Sequence, residues 1–220
     1  MIFEALKLSL LVVSVSTAIV GVVGLGFSYL LAKSSFRGKE FLDAVLTMPL
    51  VLPPTVTGYY LIVLLGRRGI LGSYIYELTG WSFAFTWEGA VVAAVVVSLP
   101  LMIKASRASI ESVHPEFETA SYTLGKGKLE TFLRITLPLA RRGIFAGLVL
   151  AFARALGEFG ATLMIAGNIP GKTQTMPLAI YEAVASGDDH RAQLLALVLT
   201  AVSIGAISLT NKVSRTSFYG

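Results

Sequence analysis

Long apolar stretches separated by short polar segments make up most of the chain. A transmembrane helix needs about 20 mostly apolar residues, and five stretches approach or exceed that length. The pattern predicts an all-α integral membrane protein with a single domain over residues 1–220 and five transmembrane helices. A polar segment over 104–142 lies between the third and fourth helices. The predicted spans cover about 6–32, 41–65, 88–103, 143–166 and 192–209.

The composition supports a bilayer environment. The chain has 220 residues, of which 55% are hydrophobic and 14% are charged. A soluble domain averages about 25% charged residues, so an ordinary soluble fold is excluded. The sequence contains 0 cysteines, which excludes a disulfide framework and a thiolate metal site.

The basic residues predict the orientation. The net charge is +5, and most lysines and arginines lie in short loops beside apolar spans, which favours a membrane protein over a nucleic-acid-binding one. Basic excess marks the cytoplasmic side, so the amino terminus is predicted outside. The inside set is then Lys33, Arg37, Lys39, Lys104, Arg107, Lys126, Lys128, Arg134, Arg141, Arg142, Lys212 and Arg215, against Lys7, Arg67, Arg68, Lys172 and Arg191 outside.

The polar segment 104–142 has the pattern of a short helix. Pro115 suits a first helical turn, and the acidic residues that follow it favour the positive end of the helix dipole. Phe117, Ala120 and Leu124 fall at positions i, i+3 and i+7, which places them on one apolar stripe.

A tight reversal is predicted after this helix. Gly125 and Gly127 permit it, and a second short helix is expected over about 128–136. The product is a helix–turn–helix at the membrane surface. Two interpretations stay open: the stripe docks a partner, or it is an amphipathic surface helix without one.

This loop resembles the EAA loop of ABC-importer permeases. Gly125 is followed by nine residues and then by Ile135-Thr136-Leu137-Pro138, which is the spacing of that family. The Glu-Ala-Ala positions hold Thr119, Ala120 and Ser121, with Glu118 one residue early. The resemblance implies that the loop sits in a cleft of a separate cytoplasmic ATPase. The residues it assigns to ATPase coupling are Glu118, Thr119, Ala120, Ser121, Gly125, Ile135, Leu137 and Pro138.

The fourth span carries small residues and two charges on one helical face. Arg154 and Glu158 project onto that face, with Thr162 close by. Charges inside a membrane almost always face the protein interior or a wet cavity. Either the pair only neutralises itself and holds helices together, or it borders a translocation path or gate. The small residues are Gly143, Gly147, Ala151 and Ala155.

Two further segments are candidates for the path. Pro53 belongs to a proline cluster that breaks the second span, and such a break survives in a membrane only when it is buried in protein or lines a cavity. Pro53 and Thr55 therefore line a path or form a packing kink. Residues 173–187 are expected to form a short re-entrant helix, with a plain surface helix as the alternative.

Four longer stretches run over 48–56, 66–69, 153–162 and 168–173. They resemble the molybdate and sulfate permeases, and the molybdate group most closely. The resemblance implies a multi-pass subunit of the plasma membrane that imports a tetrahedral oxyanion, molybdate first, with sulfate, thiosulfate or tungstate as alternatives. It also implies a homodimer, two copies of a cytoplasmic ABC ATPase and an extracytoplasmic oxyanion-binding protein. ATP and magnesium then belong to the partner subunit, and this chain has no cofactor, metal site or catalytic residue of its own.

Other classes explain less of the sequence. Residues 166–173 fit a relaxed phosphate-loop pattern, but they follow a membrane helix, whereas a phosphate loop follows a strand. An ion-driven secondary transporter leaves the ordered polar loop unexplained and lacks a visible inverted repeat. A membrane-embedded enzyme lacks a set of catalytic side chains at one membrane depth.

Overall fold

The computed structural model describes residues 2–219, with side-chain detail over residues 2–208, so the side chains of Lys212 and Arg215 lie outside it. The described residues form helices and connecting turns, without a strand. In chain order the helices are α1 (Ile2–Lys33), α2 (Lys39–Thr47), α3 (Pro54–Leu65), α4 (Gly72–Thr79), α5 (Trp87–Glu111), α6 (Pro115–Thr123), α7 (Lys128–Thr131), α8 (Leu137–Leu156), α9 (Gly160–Ala166), α10 (Met176–Ala185) and α11 (Asp189–Tyr219).

The membrane-spanning architecture predicted from the sequence is confirmed. Four helical stretches are long and apolar enough to cross a bilayer, and a bent helix pair raises the count to five. The four are Ile2–Lys33, Trp87–Glu111, Lys128–Leu156 and Asp189–Ser208, and the bent pair is Lys39–Leu50 with Pro54–Leu65.

The predicted break in the second span is also confirmed. The two parts of the bent pair meet at an angle of 116°. Pro53 has φ −54° and ψ 137°, outside the helical region, and Pro54 begins α3. Proline has no amide donor and disfavours helical backbone in the residue before it, so consecutive prolines end one helix and start the next.

Helix α5 is the centre of the bundle and packs between α1 and α8. It continues through Pro100 to Glu111, eight residues beyond the predicted end of the third span at 103. The glycines predicted to allow close approach do so here. A Cβ added to Gly143 would lie 2.4 Å from the Ser109 Cβ, and one added to Gly147 would lie 3.1 Å from the Ala105 Cβ.

The fourth span differs from the sequence prediction at both ends. The prediction of a separate short helix over about 128–136 is wrong, because α7 continues through a π-helical turn at Phe132–Thr136 into α8. At the other end, the predicted span 143–166 is divided: α8 ends at Leu156, and α9 begins at Gly160.

Candidate functional site

The polar segment predicted for coupling folds as a helix followed by a reversal. Helix α6 begins at Pro115, as predicted, and ends at Thr123. Gly125 then has φ +78°, a left-handed conformation that glycine adopts at little cost. The Gly125 amide donates to the Tyr122 carbonyl at 2.9 Å, so the carbonyl end of the helix is capped by the turn.

One face of α6 is bonded to the rest of the protein. Glu118 lies 2.9 Å from the ammonium of Lys33 at the end of α1, and it accepts a hydrogen bond of 2.6 Å from the Thr136 hydroxyl. The hydroxyls of Ser121 and Thr131 share a buried hydrogen bond of 2.8 Å. Glu118 and Ser121, both predicted for coupling, therefore fix α6 on the membrane helices.

The adjoining strip of α6 is apolar and exposed. Phe117 is 55% exposed and Leu124 is 79% exposed, and Ala120 between them is exposed as well. Thr119 is also on the outside, where its hydroxyl donates to the Pro115 carbonyl at 3.0 Å. Large apolar side chains on a rigidly anchored helix form a surface suited to a protein partner.

The second part of the predicted coupling loop surrounds the π-helical turn. Ile135 and Leu137 are half-buried, and Pro138 is exposed in the first turn of α8. A proline ring clashes with the carbonyl four residues earlier, and the π-turn before Pro138 widens the helix there. The helix therefore stays continuous from the loop into the membrane.

The charged pair of the fourth span lies at the break between α8 and α9. Arg154 Nη1 is 2.8 Å from Glu158 Oε2, so the two charges form an ion pair. The geometry is not that of a hydrogen bond, and Oε2 accepts none from the described residues. The Arg154 side chain is 29% exposed, whereas that of Glu158 is only 2% exposed. Glu158 Oε1 accepts a 2.7 Å hydrogen bond from the Ala161 amide and so caps the start of α9.

A small cavity adjoins the buried carboxylate of Glu158. Thr162, Thr175 and Ser9 line it together with Glu158, so its polar groups come from four segments of the chain. The Thr175 hydroxyl is buried and has no hydrogen-bond partner among the described residues. Glu158 and Thr162, predicted to be close, are therefore brought together, while Arg154 lies towards the surface of the chain.

The two broken spans cross at their breaks. A Cβ added to Gly160 would lie 3.0 Å from the Pro54 Cβ and 3.1 Å from the Thr55 amide nitrogen. A Cβ added to Gly58 would lie 2.7 Å from the Ala161 Cα. Pro53 and Thr55 are exposed at this crossing, so the breaks predicted from proline and the break at Glu158 form one irregular region.

Sequence reasoning missed the polar contacts that hold the segment before α11. The sequence predicts a short helix over 173–187, either re-entrant or on the surface, and α10 covers Met176–Ala185 of it. The Met176 amide donates to the Ser9 hydroxyl of α1 at 2.7 Å. Gln174 donates to Asn168 at 3.0 Å and also to Glu182. The one available signal was the presence of polar residues within otherwise apolar stretches.

The segment that fits a relaxed phosphate-loop pattern is a closed turn. The amides of Lys172, Thr173 and Gln174 all donate to the Ile169 carbonyl at 2.9–3.1 Å. The Thr173 hydroxyl accepts from the Ile169 amide at 3.0 Å. These amides are used within the turn, whereas a phosphate loop directs its amides towards the ligand.

Sequence comparisons identify relatives over nearly the whole chain. Residues 24–214 match the family model of the binding-protein-dependent transport system inner membrane component. The molybdenum transport system permease protein ModB of Escherichia coli is 44% identical over 98% of this chain and 94% of its own length. The same-named protein of Haemophilus influenzae is 46% identical over 80% and 79%. The sulfate transport system permease protein CysW of Synechococcus elongatus is 35% identical over 94% and 72%.

Solved structures share the fold. A bacterial ABC transporter involved in alginate import matches with a TM-score of 0.81 at 14% identity, over 97% of this chain and 79% of that one. The MetNI methionine ABC transporter in an inward-facing conformation matches with a TM-score of 0.76 at 14% identity, over 98% and 95%. Together with the family match, the apolar helices and the anchored polar loop establish that this chain belongs to the family of binding-protein-dependent transport system inner membrane components.

Proposed function

We propose that this chain is the permease subunit of an ABC importer that moves molybdate into the cytoplasm. In this proposal two copies form the transmembrane pathway, with their amino termini outside. Two copies of a cytoplasmic ATPase bind ATP and magnesium, and an extracytoplasmic binding protein delivers the oxyanion. The chain itself is a transport subunit and performs no catalysis.

The observation that carries the proposal is that helix α6 is anchored along one strip and exposed along the next. Glu118 and Ser121 bond it to Lys33 and Thr131, while the adjoining Phe117 and Leu124 are exposed. A helix held in this way transmits a push on its outer face to the membrane helices. The π-turn supports the same role, because it joins the loop to α8 without an interruption.

The irregular region where the two broken spans cross is the proposed gate. It combines the exposed Pro53 and Thr55 with the Arg154–Glu158 pair and Thr162. Interrupted helices leave backbone and side-chain polar groups available at membrane depth. Transporters place their pathways at such interruptions. ATP binding would draw the two α6 helices together and rock these spans from inward-open to outward-open.

The proposed substrate rests on the relatives. The proteins at 44–46% identity are named for molybdenum transport, whereas the sulfate transport relative is 35% identical. Sulfate is the second candidate, since both dianions are tetrahedral. A permease that binds its substrate weakly releases it readily, so selectivity would belong mainly to the binding protein.

The test begins with gentle purification of the tagged chain from its native membrane and identification of stoichiometric partners. We expect an ATPase equimolar with the chain and an accompanying oxyanion-binding protein. The purified set is then reconstituted in vesicles, and molybdate uptake is measured with ATP and with a sulfate competitor. Uptake that requires an ion gradient and proceeds without an ATPase would contradict the proposal. Sulfate uptake that molybdate fails to inhibit would instead identify sulfate as the transported substrate.

A further inference from the structure

Two neighbouring pockets with three lining residues in common lie beside α1, at the end of the molecule that carries α6, and we refer to them together as the cleft. Its first part has a volume of about 590 Å³ and is almost entirely apolar. This size is within the ~300–1,000 Å³ typical of small-molecule sites. The apolar part is lined mainly by Gly21, Val22, Leu25 and Gly26 of α1, with Leu129 and Phe132 opposite.

The second part of the cleft is polar and adjoins the first. It has a volume of about 240 Å³ and is lined by Lys33, Glu118 and Tyr122, among others. Tyr29, Lys128 and Phe132 line both parts. The rings of Tyr29 and Phe132 pack with their centroids 4.4 Å apart and so form the boundary between the apolar and polar parts.

The cleft has one uncompensated positive charge at this boundary. Lys33 is paired with Glu118, whereas Lys128 makes no ion pair with any other residue in the part of the chain that the structure describes. Lys128 is exposed at the start of the candidate span Lys128–Leu156, where a lysine ammonium lies at headgroup level. The apolar part is lined by this span and by α1, so it lies at the depth of the acyl chains.

We propose that the cleft binds one anionic glycerophospholipid. Its acyl chain lies against Gly26 and Leu25, and its phosphate lies beside Lys128 and the Tyr29 hydroxyl. The lining changes along the cleft from apolar to cationic and hydroxyl-bearing. A single anionic lipid matches both parts, with its acyl chain in the first and its phosphate in the second. An apolar helix of a second subunit would match the first part alone and would leave Lys128 without a counter-charge.

The lipid site has a consequence for α6. Glu118 and Tyr122 line the polar part from the inner side of that helix, so a bound phosphate lies next to the contact between Glu118 and Lys33. Occupancy fills the space behind the helix and limits its movement relative to α1. The inference requires only that the chain is membrane-embedded, and it stands independently of the transported substrate.

The binding test uses the detergent-solubilised complex, stripped of lipid and examined by native mass spectrometry. Phosphatidylglycerol and phosphatidylcholine with identical acyl chains are added separately, and glycerol 3-phosphate serves as a headgroup-only probe. We expect phosphatidylglycerol to bind about fivefold more tightly than phosphatidylcholine, as one nearby lysine provides. Equal retention of both lipids, or binding of glycerol 3-phosphate as tight as that of phosphatidylglycerol, would overturn the proposal.

Matched variants separate the two parts of the cleft. K128Q should abolish the preference for the anionic lipid, whereas K39Q, at the start of α2, should retain it. G26L should remove binding of both lipids, because a side chain there enters empty space within the cleft, and G205L, on an equally open position of α11, should not. Indistinguishable effects of the lysine variants would refute the phosphate position. Loss of a second subunit in G26L with lipid binding intact would assign the cleft to a protein interface instead.

Discussion

At the scale of single residues, Glu118 has a role that its sequence position does not reveal. The resemblance assigns it to contact with an ATPase, whereas the structure pairs it with Lys33 and Thr136 of the same chain. Substitution E118Q removes the charge and keeps an oxygen that accepts from Thr136. Hydrogen bonds to charged groups contribute about 1.5–3 kcal/mol, so we expect a lower midpoint of thermal unfolding and weaker substrate-stimulated ATP hydrolysis by the assembled transporter.

The control for that substitution is on the same helix. Glu116 is exposed in the first turn of α6 and makes no ion pair with another described residue. E116Q should therefore leave both the unfolding midpoint and the stimulated hydrolysis close to those of the unchanged protein. Similar losses in the two variants would show that net charge on α6, rather than the contact with Lys33, determines its position.

At the scale of elements, the reversal after α6 depends on Gly125. A β-branched side chain in its left-handed conformation costs at least about 1–2 kcal/mol, because the Cβ approaches the backbone. G125V should therefore turn α6 away from its anchored position and uncouple ATP hydrolysis from uptake. The measurement is the ratio of substrate transported to ATP hydrolysed in vesicles.

Gly127 provides the matched control two residues later. It has φ −76°, and a Cβ added there meets nothing within 4 Å, as at Gly125. G127V introduces the same side chain without the backbone strain and should keep the coupling ratio. An unchanged ratio in G125V would contradict the coupling assignment of this loop.

The crossing of the two broken spans is a second element-scale feature that can be tested. A Cβ on Gly58 meets the Ala161 Cα at 2.7 Å and the Ala161 carbonyl oxygen at 2.9 Å, and backbone atoms cannot move aside easily. Overpacking of this kind costs about 1–3 kcal/mol, so G58A should lower the unfolding midpoint by separating α3 from α9. G26A, where the added Cβ meets nothing within 4 Å, should not. Equal stability of the two variants would contradict the tight crossing.

The sequence predicted those element boundaries that depend on local chemistry and missed those that depend on distant contacts. The prolines before α3 and the glycine after α6 act on their own backbone, so their effects are readable without a structure. The break before α9 lies within a segment that hydropathy predicts as one span, despite its two charges. It is stabilised by Glu158, which accepts from the Ala161 amide, and by packing against Pro54 and Thr55 about 100 residues earlier.

At the scale of the whole molecule, hydropathy and charge predicted the number of spans but not how they pack. The contact between Ser9 and Met176 joins residues separated by 167 positions, and nothing in the local sequence marks it. The exposure of the α6 stripe is likewise a property of the assembled chain. Periodicity placed Phe117 and Leu124 on one stripe, and only the anchors beside it, Glu118 and Ser121, decide that the stripe stays exposed.

The exposed stripe of α6 is predicted to be the surface on which the ATPase assembles. Buried apolar side chains at the centre of an interface carry much of its binding energy, so F117S combined with L124S should weaken association with the ATPase at least tenfold. The variant should fold normally, because both side chains are exposed in the single chain. The measurement is the amount of ATPase that co-purifies with the tagged chain, alongside its thermal unfolding midpoint. Phe36, also exposed, lies in the loop after α1, and F36S should retain the ATPase. Full retention by the double variant would show that α6 contacts lipid or solvent, and that the ATPase binds elsewhere.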